Sequence, residues 1–149
     1  GITDGQHIYY VDNKTNHLYR CEMDGSDAQL LVEQPVLLAS MNFDDEYFYY
    51  RLLKDMETSE DSTADVSQQT LDDLFCGYSD SYDIYRFPKE DPAQIEKIAT
   101  LPVSVYQIFT VPGTGKIFVT TYAPQGEDRP LYVMGTDGSN PTKLEIPEY

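Results

Sequence analysis

Three stretches of the chain repeat one order of apolar and polar positions. Each begins with an aromatic or β-branched strand, continues with an aliphatic residue followed by Tyr, and ends with a turn and a short apolar strand. Alternation of this kind is typical of half-buried β-strands joined by hairpins. The first strands lie at 7–12, 47–50 and 117–119, the next at 18–20, 84–86 and 131–133, and the last at 30–32, 95–98 and 143–145. The pattern predicts an all-β protein.

The repeats recur at a regular interval. Ile8 and Phe48 are 40 positions apart and Phe48 and Ile117 are 69 apart, so removing an insertion of about 26 residues leaves an interval of about 43. This period suits a four-stranded antiparallel sheet. Apolar runs at 35–43 and 102–109 precede the second and third units and are predicted to be inner strands, whereas the first unit has none. We therefore expect about eleven strands in three twisted sheets.

The last turn of two units carries the pair Asp-Gly. It occurs at Asp24-Gly25 and Asp137-Gly138, and a degenerate version lies at 89–92. Glycine adopts the positive φ angle that a tight hairpin needs, so these dipeptides predict hairpins. Calcium binding by the two aspartates is the alternative interpretation.

The repeat divides one domain, residues 1–149, into three units. Their predicted bounds are 2–34, 35–101 with the insertion at 52–82, and 102–149. Sheets that stack bury alternate residues against their neighbours. The side chains expected between the sheets are Tyr9, Leu18, Leu38, Tyr49, Ile84, Ile108, Phe118 and Leu131.

The motifs of the first unit resemble those of a known family. They read Ile-Tyr-Tyr-Val-Asp at 8–12, Leu-Tyr at 18–19 and Met-Asp-Gly-Ser at 23–26. In this order they are similar to the YWTD repeat of six-bladed extracellular propellers, and more closely to the bacterial relatives grouped as the DUF5050 family. The resemblance covers nearly the whole chain outside residues 52–82.

The resemblance implies three tandem four-stranded antiparallel propeller blades. Together with the pattern of the insertion and the number of blades, this predicts an all-β fold that is a partial or oligomer-completed propeller with one short helical insertion. It implies a binding or scaffolding role outside the cell or at its surface, and no cofactor. One departure concerns the aspartate of the family motif, which is present as Asp12 but replaced by Leu52 and Thr121 in the other units. Contacts between blades through that side chain are therefore not expected in all three.

Three blades alone leave apolar surface uncovered. A propeller typically closes with four or more blades, so two outer faces and a sheet edge stay open. We expect the chain to belong to a longer propeller, or two copies to combine into a ring of six blades. The sequence begins at Gly1 without a charged and apolar leader, so a signal or anchor is expected to lie outside it.

The charge restricts the partners. With 10 basic and 26 acidic residues the net charge is −16, which repels phosphate backbones and anionic lipids, so neither nucleic acid nor direct membrane binding is expected. Cys21, Cys76, His7 and His17 lack metal-ligand spacing, and no metal site is predicted. Cys21 lies in an apolar strand that favours a buried free thiol, while a disulfide with Cys76 is the alternative.

The insertion at 52–82 differs in composition from the repeats. It holds eight acids against the single base Lys54, and an apolar face at 66–75 could form a short docking helix. Aromatic residues follow, and such side chains are frequent at interfaces. The candidate binding residues are Asp72, Asp73, Phe75, Tyr78, Asp80 and Tyr82. The alternative is a tolerated surface insertion whose apolar residues only hold it to the blade.

Two classes of function follow. The sequence has no phosphate-binding glycine loop, no nucleophile elbow and no histidine cluster, so we predict no catalytic residues. The favoured function is a non-catalytic module that binds a protein or glycan partner and self-associates through its open faces. The alternative is part of a propeller hydrolase whose active site is completed by other blades or domains.

Overall fold

The computed structural model describes residues 1–54, 81–111, 113–122 and 129–144, and it is all-β with a single 3₁₀ turn in these ranges. Within the described ranges, twelve strands form three four-stranded antiparallel sheets, each built from four consecutive strands. No helix among the described residues has the length and apolar character needed to cross a bilayer. The prediction of an all-β chain with three antiparallel sheets is confirmed.

The strand bounds follow the repeat. Sheet one holds β1 (Ile2–Thr3), β2 (His7–Val11), β3 (Leu18–Glu22) and β4 (Gln29–Val32). Sheet two holds β5 (Asn42–Phe43), β6 (Tyr47–Tyr50), β7 (Asp83–Pro88) and β8 (Glu96–Thr100). Sheet three holds β9 (Ser104–Val111), β10 (Lys116–Tyr122), β11 (Leu131–Gly135) and β12 (Thr142–Leu144).

Both Asp-Gly pairs lie in hairpins, as predicted. Gly138, between β11 and β12, has φ +82°, and a Cβ atom there would lie 1.9 Å from the Ile98 carbonyl oxygen of sheet two. Only glycine therefore fits this approach of one sheet to the next. The carboxylate of Asp137 accepts a hydrogen bond from the Ser139 backbone N–H at 3.0 Å, so it stabilises its own turn.

Two apolar clusters hold the sheets together. Between sheets one and two, Tyr9 stacks on Phe48 with ring centroids 4.5 Å apart, and both side chains are fully buried. Between sheets two and three, buried Tyr49 belongs to the same cluster as Ile117 and Met134. Burial of aromatic and aliphatic side chains on facing sheets is the main force that stacks them.

The structure corrects two predictions about inner strands. Sheet one does have an inner strand, because Ile2–Thr3 pairs antiparallel with β2. The run 35–43 is not one strand: only Asn42–Phe43 is β5, and Leu38–Ser40 forms the 3₁₀ turn. Apolar character alone does not distinguish a buried strand from a buried turn, so the run was open to either conformation.

Of the eight side chains predicted between the sheets, five are buried: Tyr9, Leu18, Tyr49, Ile84 and Ile108. The other three were wrong. Leu38 is 47% exposed in the 3₁₀ turn, and Phe118 and Leu131 are half-buried. In sheet three the buried face carries Ile117, Val119, Tyr132 and Met134, one position away from the predicted residues, and a shift of one residue along a strand reverses the face.

Candidate functional site

Most of the predicted binding residues lie outside the part of the chain that the structure describes. These are Asp72, Asp73, Phe75, Tyr78 and Asp80. Tyr82 is described: it is half-buried immediately before β7, and its backbone carbonyl accepts a hydrogen bond from Leu101 N–H at 2.9 Å. Cys76 also lies outside the described residues, and Cys21 is a buried free cysteine.

The structure does show where the segment 55–80 leaves and rejoins the sheets. On the leading side, Val36 and Leu52 form an antiparallel bridge, and Leu53 N–H donates to the Pro35 carbonyl at 2.8 Å. On the returning side, Val105 N–H donates to the Ser81 carbonyl at 2.7 Å. We call these ranges, 35–37, 51–53, 81–82 and 101–105, the segment base. Both ends of the segment are therefore hydrogen-bonded to ordered, largely buried backbone.

Arg51 is the central side chain of the segment base. It is fully buried, and its guanidinium donates to the carbonyl oxygens of Val105 and, at 3.3 Å, of Leu53. Its backbone N–H donates to the Ser40 hydroxyl at 2.9 Å. A buried charge is costly unless it is hydrogen-bonded, so these bonds tie the end of β6 to the start of β9.

Sequence reasoning missed Arg51. The register of β6 with β7 places it directly after an apolar-aromatic strand, at the position that Val11 occupies in the first unit. A charged residue where the preceding repeat has an aliphatic one is a signal that a closer comparison of the units would have found.

A cleft lies at the opposite ends of the strands. It measures about 380 Å³ and separates the β5–β6 turn of sheet two from the β9–β10 turn of sheet three, and its lining includes Asp44, Asp45, Glu46 and Lys116. Asp44 is occupied structurally, because its carboxylate accepts hydrogen bonds from Tyr47 N–H and the Tyr49 hydroxyl, both at 2.7 Å. The cleft therefore has a mixed apolar and polar lining, in which the exposed carboxylates of Asp45 and Glu46 are accompanied by Lys116.

The two buried tyrosines at the end of β6, Tyr49 and Tyr50, are structural. Burial, followed by the hydrogen bond to Asp44, raises the pKa of Tyr49 far above its usual 10. Burial likewise raises the pKa of Tyr50. Both phenols therefore stay protonated at any physiological pH and serve as neutral donors or packing groups, which does not favour acid–base chemistry at these positions. Within the described ranges, no group of three or more His, Cys, Asp or Glu side chains could hold a metal ion.

Comparison with known proteins concerns the fold. The solved structure of a protein assigned as TolB from Agrobacterium tumefaciens matches 94% of this chain, with a TM-score of 0.55 and 15% sequence identity. The chain has a β-propeller-type fold. Each sheet is thus one blade. The chain spans 45% of the length of the TolB protein, no family model matches it, and no curated protein matches it.

In the propeller fold, the segment base and the cleft lie at opposite ends of the same strand, β6. The segment base lies where β6 ends and β7 begins, and the cleft lies where β6 begins. They therefore belong to opposite rims of the blades. Loops on one rim of a propeller can vary without altering the sheets, which makes each rim suited to an independent surface.

Proposed function

We propose that the chain is a non-catalytic β-propeller module that binds a protein or glycan partner, or acts as a scaffold, outside the cytoplasm. In this proposal residues 1–149 form one domain with blades at 2–34, 35–101 and 102–149, and segment 52–82 carries the binding surface. The resemblance to extracellular YWTD-like repeats supports the location and the type of function.

The segment base is the observation that carries the proposal. Long insertions into a blade are tolerated most easily when their ends are held close together by the scaffold. Here Leu53 N–H donates to the Pro35 carbonyl on one side of the segment, and on the other side the Ser81 carbonyl accepts from buried Val105. Arg51 donates to the carbonyls of Leu53 and Val105 and so links the leading side to sheet three. Such an anchorage keeps a 26-residue segment (55–80) attached to a rigid frame, as a binding loop requires.

The candidate binding residues combine charge with aromatic surface. Asp72, Asp73 and Asp80 suit a partner with cationic or hydrogen-bond-donating groups, and Phe75, Tyr78 and Tyr82 suit apolar or sugar faces. A basic protein surface or a glycan satisfies both requirements. We also propose that the chain self-associates through the open faces of its first and third blades.

The decisive experiment is replacement of residues 55–80 by a short Gly-Ser linker. Because the base is held by residues outside this range, we expect the variant to keep its circular dichroism spectrum and a cooperative unfolding transition. Pull-downs and glycan arrays with the intact chain define the partner, and the deletion variant should lose it. Full partner binding by the folded deletion variant would refute the proposed site.

Two double variants that remove the same charge from different places test the site more sharply. The double substitution D72N and D73N removes two negative charges from the segment, and E90Q and D91N removes two from exposed positions on the opposite rim. We expect the first pair to weaken partner binding and the second pair to leave it unchanged. Equal weakening by both pairs would indicate a general effect of net charge and not a site.

A further inference from the structure

The two contacts between neighbouring blades follow one plan. In sheet one, Tyr9 and Arg20 are paired across β2 and β3, and Arg20 Nη1 donates to the Lys89 carbonyl of sheet two at 2.9 Å. In sheet two, Tyr49 and Arg86 are paired in the same way, and Arg86 Nη1 donates to the Thr136 carbonyl of sheet three at 2.7 Å. We call the face that carries this Tyr and Arg the forward face, and the opposite face the rear face.

The acceptors are equivalent too. Lys89 and Thr136 each lie four positions after the Tyr of the repeated Leu-Tyr or Ile-Tyr pair, counted from Tyr85 and Tyr132. The hydrogen bond from an arginine to the next blade is therefore a repeated contact and does not occur only once. The equivalent acceptor position in sheet one is Met23, four positions after Tyr19.

Sheet three has a forward face with nothing packed on it among the described residues. By register, Phe118 and Val133 take the positions of the Tyr and the Arg, and Phe109 pairs with Phe118 on the other side. Phe109 is 43% exposed, and Phe118 and Val133 are half-buried. Three adjacent apolar side chains thus form an open row where sheets one and two each bury a Tyr.

Sheet one has the complementary open face. Tyr10 and Tyr19 on its rear face stack at 5.6 Å with an interplanar angle of 14°. The equivalent pair in sheet two, Tyr50 and Tyr85, stacks at 5.6 Å and 16°, and there Tyr50 is only 1% exposed because sheet one covers it. Tyr10 and Tyr19 stay half-buried, and the neighbouring Leu30 is 41% exposed.

We infer that a second copy of the chain covers both faces, with the forward face of each sheet three packed on the rear face of the other copy's sheet one. This specifies the self-association proposed above. Among the described residues, one face of each type has no other sheet packed on it, and the internal contacts show that a forward face is covered by a rear face. Two chains of three sheets then close a ring of six, in which both contacts are related by one two-fold axis.

The proposed contact differs from the internal ones at one position. Val133 stands where Arg20 and Arg86 make their bonds, so the Met23 carbonyl of the second copy receives no arginine. The contact between copies is consequently apolar and is the weakest in the ring. An arginine at position 133 should donate the missing hydrogen bond to the Met23 carbonyl of the second copy.

Sedimentation velocity across a concentration range from submicromolar to tens of micromolar tests the inference. The parent chain should be a dimer at the upper end. F109D and L30D place a charge on one open face each and should both weaken the dimer at least about tenfold, since each buries an unpaired charge. I95D is the control: Ile95 is 40% exposed but precedes β8 of sheet two, which takes part in neither open face.

V133R is expected to tighten the dimer about tenfold or more, because a hydrogen bond from a charged donor to a carbonyl is worth at least one such step. L131R adds the same charge two positions away, where the equivalent residues Leu18 and Ile84 are buried, and should weaken it. Circular dichroism of each variant confirms that it is folded.

Several results would overturn the inference. A parent chain that stays monomeric at tens of micromolar excludes it, and so does weakening by I95D as strong as by F109D. If F109D dissociates the dimer and L30D does not, sheet three pairs with itself. The variant with residues 55–80 replaced should dimerise like the parent, so loss of partner binding and loss of the dimer are separable outcomes.

Discussion

Arg86 is the best-defined link between two blades, and its replacement by methionine tests the packing scheme. Its side chain is 11% exposed. The guanidinium donates to the Thr136 carbonyl at 2.7 Å, lies 3.8 Å from the centre of the Tyr47 ring and pairs with the Glu96 carboxylate. R86M keeps most of the apolar stem and removes all three interactions.

The expected cost follows from these contacts. A hydrogen bond from a charged donor contributes about 1.5–3 kcal/mol, the contact with the ring about 0.5–2 kcal/mol, and the ion pair to the half-exposed Glu96 at most about 1 kcal/mol. Because such contributions are not additive, we expect R86M to lower the free energy of unfolding by about 3 kcal/mol. For a chain of this size that corresponds to a decrease in Tm of about 6–12 °C.

Urea unfolding followed by circular dichroism and tyrosine fluorescence is the suitable assay, since the chain contains no tryptophan. Protein concentration must be the same for all variants because dimerisation would raise the apparent stability. E96Q should cost less than about 1 kcal/mol, and R86K should fall between, because an ammonium cannot match the planar fork of a guanidinium. If R86M costs no more than E96Q, the arginine does not link the blades and the reasoning fails.

Three further predictions concern single side chains. Y49F should lower the free energy of unfolding by about 1 kcal/mol, because it removes the hydrogen bond from Tyr49 to the Asp44 carboxylate. Y9F, at the equivalent position, should be neutral, because the Tyr9 hydroxyl meets no acceptor or donor of good geometry among the described residues. Equal costs of the two variants in thermal melts would contradict this. Burial alone would raise the pKa of Asp4, but hydrogen bonds from the backbone and from Lys89 lower it below the usual 3.8. The contribution of Asp4 to the free energy of unfolding is therefore complete above pH 3.8 and is lost as the pH falls through the lowered pKa. D4N should therefore destabilise the chain near neutral pH, and in urea titrations its difference from the parent should shrink as the pH falls below 3.8 and through the lowered pKa; a constant difference would show that the carboxylate charge plays no part. I117A should lower the free energy of unfolding by about 2–5 kcal/mol and F109A by much less, because Ile117 is fully buried and Phe109 is 43% exposed. The reverse order in urea unfolding would mean that the buried face of sheet three is misassigned.

The sequence by itself determined the class of fold and the order of the strands. Alternation of apolar and polar residues is a local property of a strand, and Asp-Gly is a local property of a hairpin, so both could be read without knowledge of the neighbours. The interval of 40 residues between Ile8 and Phe48 was enough to group the strands into sheets. The position of the insertion, between the second and third strands of its unit, was likewise evident.

Only the tertiary structure decided which face of β10 and β11 in sheet three is buried. In sheet three, Phe118 and Ile117 are both large and apolar, and either parity fits the pattern; the register with β9 and β11 puts Ile117 inside. Opposite the step from Thr120 to Thr121, β9 has one extra residue, Tyr106, and this bulge changes the alternation of buried residues in β9. Such irregularities depend on pairing partners, so the sequence of one strand does not reveal them.

For the arginines, too, the sequence showed the residues and only the tertiary structure showed their contacts. Arg20 and Arg86 follow the repeated tyrosines and were visible as a recurring pair, but their acceptors are backbone carbonyls, which every residue has. A bond to a carbonyl does not depend on the side chain of the acceptor residue, and Lys89 and Thr136 share a position in the repeat but no side-chain chemistry. The contacts between blades therefore became apparent only when the sheets were stacked, because they depend on where one sheet places its turn against the next.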